Sequence, residues 1–327
     1  MAHGVFVDGV WHTQWYDTSA NGGRFVPAEP VFRNWITPDG SPGPSGEGGF
    51  AAERGRYHLY VSLACPWAHR TMILRRLKKL DGAISASIVA SYMGPEGWTF
   101  DGDGSTGDPV NGAKRLSEIY LAADPSYSGR VSVPVLWDKQ RRTIVSNESS
   151  EIIRMLNSAF DAFTNDRTDY YPPALRGEID RVNTLVFENI NNGVYRTGFA
   201  RSQEAYEEAF HALFGALDTV ERRLSEHRYL VFGTLTEADW RLFTTLVRFD
   251  AVYYGHFKCN LRRIIDYPIL SNYVRDLYQM TGVAETVDLE QIKRHYYGSH
   301  KHINPTGIVP LGPELDFGAA HDRGRFT

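Results

Sequence analysis

The segment running from Tyr57 into the next twenty-odd residues most constrains what this chain can fold into. Its first half opens Tyr57-His58-Leu59-Tyr60-Val61 and follows the polar, basic stretch Glu53 to Arg56, so it reads as a buried strand. Its second half reads as a helix. Pro66 suits a first helical position, whose N–H has no intrahelical partner. Met72, Ile73, Leu77 and Leu80 share one face, with Arg70, Arg75, Lys78 and Lys79 mostly elsewhere. Cys65 therefore sits at a strand-to-helix turn, at the positive end of the helix dipole. Backbone N–H groups there stabilise a thiolate and lower its pKa from about 8.5.

Thioredoxin-like folds present a reactive thiol in this way. In the dithiol form the motif is Cys-x-x-Cys; here Ala68 stands in the second position. A lone thiolate can attack sulfur and become a mixed disulfide, but no neighbouring thiol can resolve it. An external thiol is needed, and glutathione is the abundant cytosolic candidate. A buried, inert core cysteine fits the same residue type; the helix-start position argues against it.

At 327 residues, two domains are expected. An apolar content of 42% suffices for sizeable cores, and a net charge of −4 argues against a nucleic-acid or anionic-membrane surface. The 2 cysteines, Cys65 and Cys259, lie far apart and make no disulfide framework, which fits a reducing, cytoplasmic setting. Met1 to Val10 lacks the basic start and apolar core of a signal peptide, and no run approaches the ~18 apolar residues of a membrane span.

Residues 1–53 read as an arm rich in Gly, Pro and aromatics, among them Trp11, Trp15, Tyr16, Phe25, Phe32 and Trp35. So many aromatics disfavour disorder, so the arm is expected to pack on the body or on a second subunit. Residues 54–164 then follow the order β-α-β-loop-α-β-β-α, the thioredoxin order. After the first strand and helix come a strand at Ile84 to Tyr92, a Gly/Asp/Pro loop carrying Trp98, and a short helix at Lys114 to Ala122. Strands at Val131 to Trp137 and Arg142 to Val145 and a helix at Asn147 to Asn157 complete it. Asn165 to Pro173 reads as a linker that opens a helical substrate domain of residues 165–297, in which Ala174 to about Tyr297 reads nearly all-helical. Helices are expected at Arg176 to Asn192, Ser202 to Glu226, Thr236 to Tyr254, Ile269 to Met280 and Ala284 to Tyr296, with a capping box at Thr236 and Asp239. Residues 298–327 form a tail. The fold class is α/β plus all-α: an N-terminal thioredoxin-like domain followed by a helical domain.

Several motifs carry little. Gly102-Asp103-Gly104-Ser105-Thr106-Gly107 matches G-x-G-x-x-G but neither follows a strand nor opens a helix. Its acidic residues lack the glutamate that closes a calcium loop. The sequon at Asn147 has no secretory context. His295, His300 and His302 read as a solvated or core-edge cluster rather than a metal site, and Cys259 as a structural cysteine.

Three pieces belong together. Cys65 is the first. The second is Val133-Pro134, where a proline enters a strand. A cis bond at a sheet edge would leave the Val133 backbone able to pair with an extended peptide; a trans proline on an edge strand fits equally. The third is Asn147-Glu148-Ser149-Ser150-Glu151 at a helix start, where N–H groups and a hydroxyl suit a carboxylate and Glu148 suits an amine. Ordinary N-capping explains the same residues. An extended cysteinyl backbone with an amine and a carboxylate at one end describes glutathione.

The chain resembles the glutathione transferases, and within them the Xi class, the glutathionyl-hydroquinone reductases. The resemblance rests on Cys65-Pro66-Trp67-Ala68-His69-Arg70, Gly97-Trp98, Gly129 through Asp138, Asn147 through Asn157, Asn191 through Ala200 and Asn304-Pro305-Thr306-Gly307. It implies reductive deglutathionylation of a glutathionyl-hydroquinone. Cys65 attacks the glutathione sulfur, the hydroquinone leaves, and free glutathione resolves the mixed disulfide as oxidised glutathione. It further implies that Trp98, Arg130, Val133, Glu148 and Ser149 hold glutathione, with Arg130 suited to a carboxylate. The ring would sit above Cys65 against the helical domain, met by Tyr195, Tyr253 and Tyr296. Tyr254 and Tyr297 are direct neighbours, and a one-residue shift turns a helical side chain by roughly 100°. A homodimer, glutathione as co-substrate and no metal are implied as well. The competing functions are an omega-like thioltransferase or dehydroascorbate reductase, and a non-catalytic binding module of the same fold.

Overall fold

The described chain, residues 4–14 and 16–326 of a computed structural model, begins with a hairpin. Strands β1 (Gly4–Val7) and β2 (Val10–Thr13) pair antiparallel around Asp8 and Gly9, which have φ of 49° and 75°. Two central residues at positive φ make the primed turn that matches strand twist, and Asp-Gly is a favoured pair for it. A Cβ on Gly9 would lie 2.3 Å from the Pro125 carbonyl oxygen. That dipeptide is a strong local hairpin signal, which reading residues 1–53 as one arm overlooks. Trp15, one of the arm's aromatics, lies outside the described residues.

Two compact units make up the described chain. One takes in residues 4–14, 28–168 and 286–309; the other takes in 16–27, 169–285 and 310–326. The arm is thus shared between units, and the tail likewise. The division follows the aromatics: Phe6 packs edge-on to Trp11 and Tyr127, whereas Tyr16 packs on Phe25 and Phe25 on Phe199.

The first unit is built on β3 (Tyr57–Val61), β4 (Ser85–Ile88), β5 (Gly129–Arg130), β6 (Val135–Asp138) and β7 (Thr143–Ser146). A four-stranded sheet runs β4-β3-β6-β7, with β3 and β4 parallel and the other pairs antiparallel. Its helices are α1 (Pro66–Leu77), α2 (Leu116–Ala123), α3 (Ser149–Ser158) and the short α4 (Asp161–Thr164). This is the expected thioredoxin-like order, with corrections at the strand ends. β4 stops at Ile88 rather than Tyr92, because the next donors turn away: Ala90 N–H bonds Thr99 and Ser91 N–H bonds Asp103. β6 starts at Val135 rather than Val131. Gly129 and Arg130 instead pair with β1, giving a second sheet in the order β2-β1-β5. The Val133–Pro134 bond is cis, but it does not lie along a sheet edge: it precedes β6, an inner strand between β3 and β7, so the proline costs no ladder donor.

Helix α1 departs from the simple amphipathic picture. Arg70 and Lys78 are each 1% exposed, like the apolar side chains beside them. Each buried cation finds acceptors. Lys78 Nζ donates to the carbonyls of Asp166 (2.8 Å) and Thr168 (2.7 Å) and pairs with Asp161 (3.0 Å). Arg75, also buried, donates to the Ile84 carbonyl and to Asp81, each at 2.6 Å. Periodicity separates these charges from the apolar face, but tertiary packing covers both.

In the second unit, α5 (Arg176–Val186) passes through a π-helical turn at Phe187–Asn191 into α6 (Gly193–Phe199). Then come α7 (Gln203–Glu226), α8 (Glu237–Arg248), a second π-helical turn at Phe249–Tyr253, and α9 (Pro268–Tyr278). The expected box caps α8, with Thr236 N–H donating to Asp239 at 2.8 Å. The last helix, α10 (Leu289–Ser299), is capped by Asp288 and belongs to the first unit. Among the described residues no helix is long and apolar enough to cross a membrane.

One core group makes stability depend on pH. His58 on β3 is fully buried, its Nδ1 2.7 Å from Ser85 Oγ, and burial pushes its pKa down to about 4. The folded ring stays neutral where the unfolded one takes a proton, so stability is lost as pH falls from about 6.5 towards 4. At pH 5 the loss from this group is about 2 kcal/mol relative to neutral pH. Unfolding free energies of the wild type from denaturant titrations at pH 7 and pH 5 should differ by that much more than those of His58→Gln; equal pH dependence in both proteins would refute it.

Candidate functional site

Strand β3 delivers the chain to Cys65, which is the N-cap of α1 with Pro66 as its first residue, as the sequence predicts. The N-cap backbone is extended (φ −79°, ψ 122°), so the thiol stands at the mouth of the helix rather than along its side. The thiol is part-exposed and donates to the Val133 carbonyl oxygen at 3.6 Å. That carbonyl belongs to the residue before the cis proline, so two of the three expected pieces meet directly.

The third piece joins through α1. Ser149 is the first residue of α3, and its hydroxyl accepts from Arg70 at 3.3 Å. Arg70 also lies 4.5 Å from the Trp67 ring centroid. Sequence reasoning assigned Arg70 no role of its own. Its signal was its place in the helical turn after Cys65, which periodicity counted as away from the apolar face. Glu148 caps α3: its carboxylate accepts from Ser150 N–H at 2.7 Å. Asn147 is buried, bonding Phe32 N–H and the Tyr120 hydroxyl, which makes the sequon part of the core.

Trp98 is 6% exposed, its indole stacked on His295 with ring centroids 4.7 Å apart. Arg130, on β5, donates to the Gln14 carbonyl at the end of the N-terminal hairpin. Hence Cys65, Trp98, Arg130, Val133, Glu148, Ser149 and Tyr296 all lie in the first unit.

Tyr195 and Tyr253 lie in the second unit, each just after or within a π-helical turn. Their ring centroids are 6.0 Å apart, and both pack on Phe257, at 5.4 and 5.5 Å. Of the neighbouring pairs, Tyr253 and Tyr296 are buried, whereas Tyr254 and Tyr297 are part-exposed. Tyr296 packs edge-on to His295 and His300.

The remaining motifs are structural. The loop at Gly102–Gly107 stitches the end of β4: Thr106 accepts from Ile88 N–H at 2.9 Å. Among the described residues no cluster of three or more His, Cys, Asp or Glu side chains is arranged to hold a metal ion. Cys259 is fully buried, and burial pushes its thiol up, away from nucleophilic use.

This arrangement offers a thiol at a helix N-terminus, a peptide carbonyl facing it and, at the start of a second helix, a hydroxyl that receives the Arg70 guanidinium from α1. Such a set suits a small peptide thiol with carboxylate ends. Comparison with known proteins agrees. Residues 64–159 match the family model of the glutathione S-transferase N-terminal domain, and residues 203–276 that of the C-terminal domain. The chain is 57% identical to glutathionyl-hydroquinone reductase YqjG of Escherichia coli strain K12, over 98% of each chain. It is 56% identical to glutathionyl-hydroquinone reductase PcpF of Sphingobium chlorophenolicum, over 95% of this chain and 96% of the relative. The glutathione-bound structure of YqjG superposes with a TM-score of 0.91 at 55% identity, covering 98% of this chain and 99% of that one. A Xi-class glutathione transferase from Natrialba magadii superposes at 0.90 with 45% identity, covering 99% and 98%. By fold and by near full-length identity, the chain belongs to the glutathionyl-hydroquinone reductases, the Xi class of glutathione transferases.

Proposed function

We propose that this protein removes glutathione from glutathionyl-hydroquinones, using Cys65 as nucleophile and free glutathione as reductant. The observation that carries the reading is Cys65 at the start of α1, its thiol facing the Val133 carbonyl ahead of a cis proline. The names of YqjG and PcpF supply the substrate class.

The reaction balances as two thiol–sulfur exchanges. A proton added to the ring carbon that bears sulfur, with loss of the proton of a ring hydroxyl, makes a keto form. The Cys65 thiolate then attacks the glutathionyl sulfur and the carbon–sulfur bond breaks. Its electron pair returns to the ring, which rearomatises and takes up a proton on oxygen to leave as hydroquinone. Cys65 is left joined to glutathione, and a second glutathione thiolate attacks that disulfide, releasing oxidised glutathione and Cys65 thiolate. Each cycle thus converts glutathionyl-hydroquinone and glutathione into hydroquinone and glutathione disulfide.

In this reading Val133 pairs with the cysteinyl backbone of glutathione, Glu148 meets its amine and Ser149 one carboxylate. Arg130 meets the other carboxylate and Trp98 lines the site. Tyr195, Tyr253 and Tyr296 contact the ring and give hydroxyls to its oxygens, one of them supplying the proton. The enzyme works in the cytoplasm as a homodimer. The class resemblance and the exposure of Ile308 (70%) and Leu311 (98%) support a dimer.

Anaerobic turnover of a glutathionyl-hydroquinone with glutathione tests the core of this reading. The wild type should yield hydroquinone and oxidised glutathione, and Cys65→Ser should lose at least about 10³-fold in turnover. A wild type inert here but active on dehydroascorbate or a mixed disulfide would point to an omega-like enzyme instead. Among Tyr195→Phe, Tyr253→Phe and Tyr296→Phe, the proton donor should lower kcat by about 10²-fold with glutathione KM unaltered. Unaltered kcat in all of them would remove the tyrosines from the chemistry. Light scattering should return twice the 36.9 kDa chain mass; a single chain mass would overturn the dimer.

A further inference from the structure

Trp98 sits in a loop, residues 91–98, that leaves the end of β4 and returns through a tight turn at Gly94 and Gly97. A loop is a poor platform for a ligand contact unless other elements hold it. Two elements from opposite ends of the sequence do so.

The N-terminal hairpin holds one part of the loop. Trp11 Nε1 and Thr13 Oγ1 both donate to the Pro95 carbonyl oxygen, each at 3.2 Å. The Trp11 indole also covers the backbone just before Trp98. Gly97 has a φ of 75°, and a Cβ there would lie 3.0 Å from the Trp11 ring. The same hairpin pairs with β5 and receives the Arg130 guanidinium on Gln14.

Helix α10 holds the rest. The His295 ring stacks on Trp98 with an interplanar angle of 24°, and its Nδ1 lies 3.2 Å from the Ser91 carbonyl oxygen. Ser299, one turn on, accepts from Met93 N–H at 2.9 Å. Both ends of the loop are therefore tied to a single face of α10.

We propose that the N-terminal hairpin and α10 form a two-sided clamp that presets Trp98 for glutathione, with Trp11 and His295 as its positioning residues. The proposal rests on the reading of Trp98 as a glutathione contact. A side chain already stacked, on a loop already fixed, loses little freedom when a ligand arrives, so the clamp lowers the ordering cost of binding. It acts on glutathione capture and leaves the sulfur chemistry at Cys65 alone.

Steady-state kinetics in varied glutathionyl-hydroquinone test this, because the glutathionyl group of that substrate is what the site holds. His295→Leu and Trp11→Leu should each raise the KM for it about three- to tenfold, the worth of one aromatic stack. Turnover at saturating substrate should hold within about twofold. His295→Phe, which keeps a ring on Trp98, should restore a near wild-type KM. Thr13→Val, on the exposed edge of the hairpin, gives a variant whose folding is not at risk and should raise KM about twofold. In a Trp98→Ala background all these substitutions should change KM no further. A normal KM for the glutathionyl-hydroquinone in Trp98→Ala alone would overturn Trp98 as a contact. A raised KM there, with no effect from the clamp variants or with effects that simply multiply, would overturn the clamp.

Discussion

Helix α1 has almost no open side, and much of the first unit follows from that. A helix bearing Arg70 and Arg75, with Lys78 at its C-cap, can be covered only if each cation finds acceptors, because an unpaired buried charge costs several kcal/mol. Each partner is a different neighbour. Arg70 reaches Ser149 at the head of α3, Arg75 reaches the turn into β4, and Lys78 reaches the segment at 161–168. Charges that look like a solvated face in the sequence are the ties that hold α1 to the elements around it. Since Cys65 heads that helix, the same ties fix where the thiol stands.

The candidate site in the first unit is assembled from chain segments remote in sequence. Cys65 follows β3, Val133 precedes β6, Ser149 opens α3, and the loop carrying Trp98 is braced by residues near each end of the chain. The inner strands β3 and β6, paired from Tyr57 with Asp138 to Tyr60 with Val135, supply the rigid part. The buried Arg56–Asp138 ion pair locks the base of that pairing. Rigid strands with functional groups at their ends, and loops braced from outside, are how precise placement is obtained from a flexible chain.

The helical unit places its tyrosines by another device. At Phe187–Asn191 and Phe249–Tyr253 the hydrogen bonds skip one residue further, as Asn192 N–H to Phe187 and Tyr254 N–H to Phe249 record. A π-helical turn advances the helix face by one position, so the side chains beyond it point where simple periodicity does not send them. Simple periodicity therefore does not separate Tyr253 from Tyr254 on the sequence, whereas in the structure Tyr253 is buried and Tyr254 part-exposed.

Much of this protein was legible in its residues. The strand at Tyr57, the helix start at Cys65-Pro66, the cap of α3 and the capping box of α8 are local signals, and local backbone physics is enough to read them. Asp8-Gly9 is as local, yet it hid inside a stretch judged by composition alone. What only tertiary structure decided was everything that depends on a partner far along the chain. The pairing of Gly129 and Arg130 with β1, the burial of three cations on α1, the stacking of His295 on Trp98 and the membership of α10 in the first unit all depend on such partners. The reason is physical. A propensity is a property of neighbouring residues, whereas burial, pairing and the partner of a charge are set by surfaces that meet only once the whole chain has folded.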